Sequence, residues 1–462
     1  MQISLCMIAR DEEQLLPACL ASVEGAVDEV VVVDTGSVDR TVACAEAAGA
    51  RVLHHRWQDD FAAARNVALD AASGEWILLL DADERLAPGS GAALRTAVER
   101  GDFDCGMLPL HDAVALDSAA QRVLSGEARQ GLPQLLPRLF RRDPDLRWQG
   151  IVHEAPADWM RASGRVFQEL PVDIIHLGNV ASFREQRGKA TRNFRLLEQR
   201  CRMEPANALV RGYLARELVR AGDLERARGE VEQAWRGLLA EHRKAGNGPR
   251  SAGVQIASLR AYLAMIRGES ERVLDTAARC LEMGVEHPNL VGMRAMVQRR
   301  RAQELAGPQR ELQLAAAIDG LRWCLSMADR IFAEEVMAGL TGAVGATELG
   351  VAQLLCGRPD EALRAFEQAL VEDSGHHGAR LGVVEALLDC GRADEALSRL
   401  QPLLAEGGPD EWALAACICL AVGAPADAAE FLTTALKLGT PGSEASYRVE
   451  RFARLAAAFE PA

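Results

Sequence analysis

Two aspartates one residue apart, Asp81 and Asp83, follow directly on the apolar run WILLL at 76–80, and Asp34 ends the run EVVVV at 29–33. In an open α/β sheet, ligands gather beyond the carboxyl ends of the strands, so acids at those ends are placed to touch a ligand rather than to fill a core. Once the chain leaves the sheet it also leaves the strict alternation of strand side chains, and both carboxylates of a D-x-D can converge on one ligand assembly. Paired carboxylates with open coordination positions suit hard Mg2+ or Mn2+, which also takes phosphate oxygens from a bound nucleotide. Such a cation neutralises a diphosphate leaving group. The strand at 76–80 would then be a rigid stalk presenting the acids to it.

The elements that must carry these acids can be read along the chain. From ISLCMI at the start, the chain passes through EEQLLPACLASV, EVVVVD, DRTVACAEAAG, ARVLH, DFAAARNVALDAAS and WILLLD. Short apolar runs thus alternate with helical patterns, two of which are closed by Gly49 and Gly74. This is the grammar of βαβ units and predicts a Rossmann-like α/β domain with a mostly parallel sheet. After about residue 205 the strand signals vanish, and Ala, Leu, Glu and Arg recur at helical spacing with glycines at the turns. GRPDEAL at Gly357 returns as GRADEAL at Gly391, 34 residues later, the period of the tetratricopeptide repeat. Leu349, Gly350, Ala362, Phe366 and Ala369 fall at its packing positions, and weaker copies centre on Gly222, Gly268 and Gly423. The expected division is an α/β domain over 1–204 and an all-α superhelix over 205–462, least regular near 285–345. The stretch AGNGPRSAG at 245–253 reads as a loop between helices.

Composition narrows the function. The 462 residues are 49% hydrophobic and 26% charged, the balance of a folded globular chain. The formal net charge of -14 repels phosphate backbones, which argues against nucleic acid as a partner. The eleven cysteines show no CxxC or Cys/His ligand spacing; Cys280, Cys356, Cys390 and Cys417 sit in apolar helical patterns and read as small core residues of a reducing compartment. MQISLCMIARDEE turns acidic too early for a signal peptide, and no apolar run approaches a spanning helix, so a cytoplasmic protein is expected.

SLCMIARDEE, VDEVVVVDTGSVDRT, WQDDFAAARNVAL and GEWILLLDADERL follow one another in order. Together they resemble glycosyltransferase family 2, the A-type nucleotide-sugar transferases, over roughly residues 1 to 200. The resemblance implies that Asp34 grips the nucleotide base while Ala9 and Glu12 line the nucleotide cleft. It gives Asp81 the ribose or a metal-bound water and Asp83 the divalent metal, Mn2+ or Mg2+, that bridges both phosphates. Asp60 and Arg65 would lie around the donor, although at this spacing they could equally be surface charges. Val38 stands where the family usually has Thr, at a position expected only to cap a helix begun at Asp39.

A transferase that inverts its sugar needs a general base facing the metal across the sugar. RWQGIVHEA at 147–155 resembles the segment in which related enzymes carry an acidic base, which makes Glu154 the base with His153 beside it. The plain alternative is a polar strand end, where alternation would turn His153 and Glu154 to opposite faces. PVDIIHLGN puts His176 at another strand end and resembles the stretch in which a late His completes the metal site with Asp81 and Asp83. Arg184, Arg187, Lys189 and Arg192 follow on one expected helix as a basic face that could clamp the diphosphate.

The combination points to a metal-dependent, inverting hexosyl transfer from a nucleotide sugar, with UDP expected, to a peptide or protein side chain recruited by the repeats. Bacterial peptide and protein glycosyltransferases show the same pairing. An envelope polysaccharide or lipopolysaccharide core is the alternative acceptor. A repeat scaffold carrying a silent transferase domain is the alternative from another class, and the repeats could also serve a homodimer.

Overall fold

Ile3, Leu5, Met7 and Ala9 alternate along the first strand and enter one hydrophobic core, while Cys6 enters another on the opposite face. Both faces of the strand are therefore buried, which is why its sequence is apolar apart from Ser4. The computed structural model describes residues 1–162, 164–180, 189–245, 250–328, 330 and 336–439. They divide into two compact units, the first running from Met1 to Ala221 and the second beginning at Gly222.

In the first unit β1 (Ile3–Ala9), β2 (Glu29–Asp34), β3 (Arg51–His54) and β4 (Trp76–Leu79) are parallel. Register sets Ala9 opposite Asp34 at the carboxyl end. The helices between them are α1 (Leu16–Ser22), α2 (Thr41–Ala47) and α3 (Phe61–Ala71). α1 starts later than its polar lead-in suggests, with Pro17 in the first turn, where a missing N–H costs nothing. α2 begins at Thr41, two residues past the expected Asp39, and Val38 is exposed. Ala64, Ala68 and Leu69 of α3 pack on the face shared by Cys6, Ile77 and Leu79. Leu16 and Leu20 of α1 pack on the other face, together with Leu94 and Val98 of α4 (Ser90–Arg100).

Beyond β4 the sheet is mixed rather than parallel. It continues through β5 (Glu84–Leu86), β6 (Cys105–Asp112), β7 (Gln134–Arg141), β8 (Phe167–Glu169) and β9 (Ile174–His176). The order is β3-β2-β1-β4-β7-β6-β9-β5, with β8 beside β6. β7 runs antiparallel to both β4 and β6, and β5 antiparallel to β9. Two short helices, α5 (Ala120–Leu124) and α6 (Ala157–Arg161), lie in the connections. Two longer ones, α7 (Lys189–Met203) and α8 (Ala208–Arg220), complete the unit.

The second unit is helical throughout its described residues, from Leu224–Ala245 to Pro425–Leu438. The stretch expected to be least regular contains two long helices, Pro288–Gln303 and Gly307–Leu325. Ala362, Phe366 and Ala369 share one core with Ala396, Ala428 and Ala435, as the repeat requires. Ala227 and Ala234, after Gly222, and Val273, after Gly268, are fully buried too. Cys280 is a core residue whose thiol burial pushes up to about 12, whereas Cys356, Cys390 and Cys417 are only half-buried.

Candidate functional site

β5 follows the D-x-D at once and pairs with β9 so that Glu84 stands opposite His176, and the backbone N–H of Leu177 donates to the Asp83 carbonyl at 2.9 Å. This pairing brings His176 to Asp83, with Nε2 3.8 Å from the carboxylate. β9 also pairs with β6, which puts Asp112 beside His176. The His176 Nδ1–H donates to Asp112 at 2.6 Å, and Asn179 donates to the same oxygen at 3.0 Å. Asp112 thereby fixes the tautomer that turns Nε2 towards Asp83, as carboxylates behind metal-bound histidines do. Burial would lower the His176 pKa, but Asp112 and the charges of Asp83 and Glu84 outweigh it and raise it. The spot attracts positive charge, and a divalent cation would displace that proton.

Gly178 closes over this pair. A Cβ there would lie 2.2 Å from Asp83 Oδ2 and 2.6 Å from His176 Nε2, a space that only the absence of a side chain leaves open. Gly178→Ala should therefore displace the Asp83 carboxylate. We expect it to lower turnover by about 10-fold or more, as small misplacements of catalytic groups do, with the melting temperature little changed. Paired kinetic and thermal-melt measurements check this, and unaltered turnover would contradict the cradle.

Asp81 faces elsewhere. Its carboxylate accepts from Arg65 Nη2 at 3.0 Å and lies 3.9 Å from Arg138 Nη2. Burial would raise its pKa, but Arg65 and Arg138 hold it well below the usual carboxylate range. Among the described residues no three His, Cys, Asp or Glu side chains are arranged to hold a metal ion, so the trio expected of Asp81, Asp83 and His176 is here a facing pair. A pair fits Mg2+ or Mn2+ whose remaining positions go to phosphate and water oxygens.

Arg65, on the buried face of α3, also donates from Nε to Glu154 at 2.5 Å. The expected base and the first acid of the D-x-D are thus bound to one guanidinium. The segment around Glu154 is a loop, not a strand: His153 has φ +48°, and its closure is the reciprocal pair Gln149–Ala155. Asn66 pins it to α3, accepting from the Trp148 N–H and donating to the Trp148 carbonyl, both at 3.0 Å.

These groups border one cavity of about 890 Å³, with Ala9, Glu12, Arg65, Asp81, Asp83, Glu154, His176 and Arg192 all in its wall. Asp34 and Asp60 are not. Asp34 is buried in its turn, accepting from the N–H groups of Gly36 and Ser37; burial would raise its pKa, but Ser37 and His54 lower it. Asp60 caps α3 by accepting from the Ala63 N–H at 2.9 Å. Arg192 lies 5.1 Å above the Phe61 ring. Arg184 and Arg187 lie outside the described residues, as does the side chain of Lys189.

Several wall and support residues escape sequence reasoning. Arg138 contacts Glu84 as well as approaching Asp81, while burial pushes Glu84 up to about 7 against that cation. The strand signal in LPRLF was available, but not its antiparallel place beside β4. Arg65 Nη1 and Arg138 Nε are buried without a hydrogen-bond partner, a costly state.

The chain thus joins an α/β domain, whose cavity has Asp81, Asp83 and Glu154 in its wall, to a run of helical repeats. The family model for Glycosyl transferase family 2 matches residues 4–118, and that for the Tetratricopeptide repeat matches 354–417. A TPR repeat-containing protein of Synechococcus elongatus is 36% identical over 297 residues, covering 63% of this chain and 68% of that protein. The chain belongs to glycosyltransferase family 2, as a glycosyltransferase with C-terminal tetratricopeptide repeats. The SPbeta prophage-derived glycosyltransferase SunS of Bacillus subtilis is 27% identical over 221 residues, 47% of this chain and about half (49%) of its own length. Among solved structures, glucosyl-3-phosphoglycerate synthase of Mycobacterium tuberculosis in complex with Mn2+, UDP and glucosyl-3-phosphoglycerate is 26% identical over 24% of this chain and 44% of that one, at a TM-score of 0.21. Among the described residues no helix is long and apolar enough to cross a membrane.

Proposed function

We propose that the chain transfers a hexose from a UDP-sugar to a peptide or protein side chain, with inversion and with a divalent metal, in the cytoplasm. The observation that carries this reading is the facing Asp83–His176 pair in the same cavity wall as Glu154. Asp83 and His176 would hold the Mn2+ or Mg2+. When bound, the cation supplies charge neutralisation for the departing diphosphate. Arg65 and Arg138, both in the cavity wall, supply further positive charge. Asp81, held anionic by both, is assigned to the ribose or to a water on the cation. Asp34 is assigned to the nucleobase, and Arg192 at the rim to the diphosphate.

Glu154 takes the proton of the acceptor nucleophile as the sugar leaves the nucleotide. Arg65 holds the Glu154 carboxylate by its 2.5 Å contact and so fixes its place in the cavity wall. The helical repeats support a polypeptide acceptor, since stacked helix pairs of this type present an extended concave surface to partner chains. Cysteines kept as thiols, such as the buried Cys6 and Cys105, accord with a reducing compartment. The test is release of nucleoside diphosphate from UDP-, GDP- and dTDP-sugars, with Mn2+ or with chelator. Release from a UDP-sugar that stops on chelation is expected. No release from any donor, together with no metal-dependent rise in melting temperature on adding UDP, would leave a repeat scaffold instead.

A further inference from the structure

His153, the residue before Glu154, holds a left-handed backbone that non-glycine residues rarely adopt. Such a conformation persists only where the surroundings over-determine it. Two helices that follow the sheet provide those surroundings. Arg200 of α7 is 9% exposed, and its Nη1 donates to the carbonyls of Val152 at 2.5 Å and His153 at 3.1 Å. Its Nε–H is taken by Glu204 at 2.9 Å, which fixes the guanidinium from behind. Gly150, at φ +92°, lies so close that a Cβ would stand 2.1 Å from the Arg200 Cζ, so loop and guanidinium are matched in shape as well as in hydrogen bonding.

Tyr213 of α8 stacks on the His153 imidazole with ring centres 4.3 Å apart and planes 18° from parallel. The Arg216 guanidinium lies over the Tyr213 ring, 5.3 Å from its centre. Burial and the charges of Arg216, Arg200 and Arg220 push the imidazole down to about 3, so the stack is between neutral rings at ordinary pH. Neither Arg200 nor Tyr213 is in the wall of the cavity. Whatever they contribute to the reaction passes through the loop.

We infer that Arg200 and Tyr213 are positioning residues that hold the His153–Glu154 loop in its left-handed turn and so aim the Glu154 carboxylate into the cavity. The inference rests on Glu154 being the base. It assigns to α7 and α8 a part in the chemistry that their helical sequences do not announce.

The test uses the full chain with Tyr213→Leu, which removes the stack, and Tyr213→Phe, which keeps it. Backbone amide exchange across 149–155 should rise by ~10-fold or more in Tyr213→Leu, with the sheet unaffected, as local opening predicts. Turnover of the sugar nucleotide that the wild type hydrolyses fastest, from a UDP-, GDP- and dTDP-sugar panel, should fall by ~10-fold or more at little-changed KM for the donor. Tyr213→Phe should restore both. Arg200→Lys keeps the charge but not the planar fork, and carries the same two expectations if Tyr213→Leu does not fold. Wild-type exchange in the loop, or loosening of the whole domain in step with melting temperature, overturns the inference. Glu154→Gln is measured in parallel. If it retains full turnover while Tyr213→Leu still opens the loop, the base assignment has failed and the positioning of the loop has not.

Discussion

Asp83→Asn is expected to lower donor turnover by about 10²-fold or more, the scale for removing a principal electrostatic contact from a water-poor site, with the fold intact. Asparagine keeps the shape of the side chain and the backbone link from Asp83 to Leu177, so the β5–β9 pairing survives. What it loses is the negative charge, on a residue 5% exposed and 3.8 Å from the His176 Nε2. The metal-dependent rise in melting temperature with UDP should vanish with it. Steady-state kinetics beside thermal melts in Mn2+ and in chelator measure both effects. Turnover within a factor of two of wild type would move the metal away from this pair.

Arg65→Met should cost the most stability of any single change in the site, about 3–5 kcal/mol at neutral pH, the penalty for stripping one partner from a buried ion pair. Methionine nearly fills the same volume but strips the guanidinium from Glu154 and leaves Asp81 only the more distant Arg138. The sign of the pH dependence follows. In the wild type, Arg65 helps hold the Asp81 pKa below its ordinary value, so the stabilisation is fully present above the unfolded carboxylate range and fades as pH falls through it. In Arg65→Met the same carboxyl gains stability on protonation. The gap in melting temperature between the two proteins should therefore be wide at pH 7 and narrow as pH falls from about 4 to about 2. Scanning calorimetry across that interval is the measurement, and a gap independent of pH would show that the substitution acts through packing alone.

The parallel half of the sheet was legible because its strands are short, mainly apolar runs between helices, and that grammar also located Asp34, Asp81 and Asp83. His176 was legible as a strand end. Its place opposite Glu84 was not, because register between a three-residue strand and another nearly ninety residues later depends on tertiary packing. Asp112 and Arg138 were missed for the same reason: they reach the site from β6 and β7, across the reversal of strand direction that no local pattern signals. The 147–155 segment was legible in its residue types and misleading in its shape. Trp148, Ile151 and Val152 have the composition of a strand, yet the left-handed backbone at Gly150 and His153 folds them into a loop. Glu154 owes its direction to that loop and to Arg65, neither of which alternation along a strand would supply.

The helices Lys189–Met203 and Ala208–Arg220 belong to the first compact unit although their sequences read like the repeats that follow. For the history of such chains this sets where one array of repeats can be exchanged for another. A crossover upstream of Tyr213 would separate the loop from the ring stacked on it, and every hybrid would inherit a misaimed carboxylate. A crossover at the turn after Ala221 would spare those contacts, leaving new repeat surfaces to be tried on an unaltered first unit.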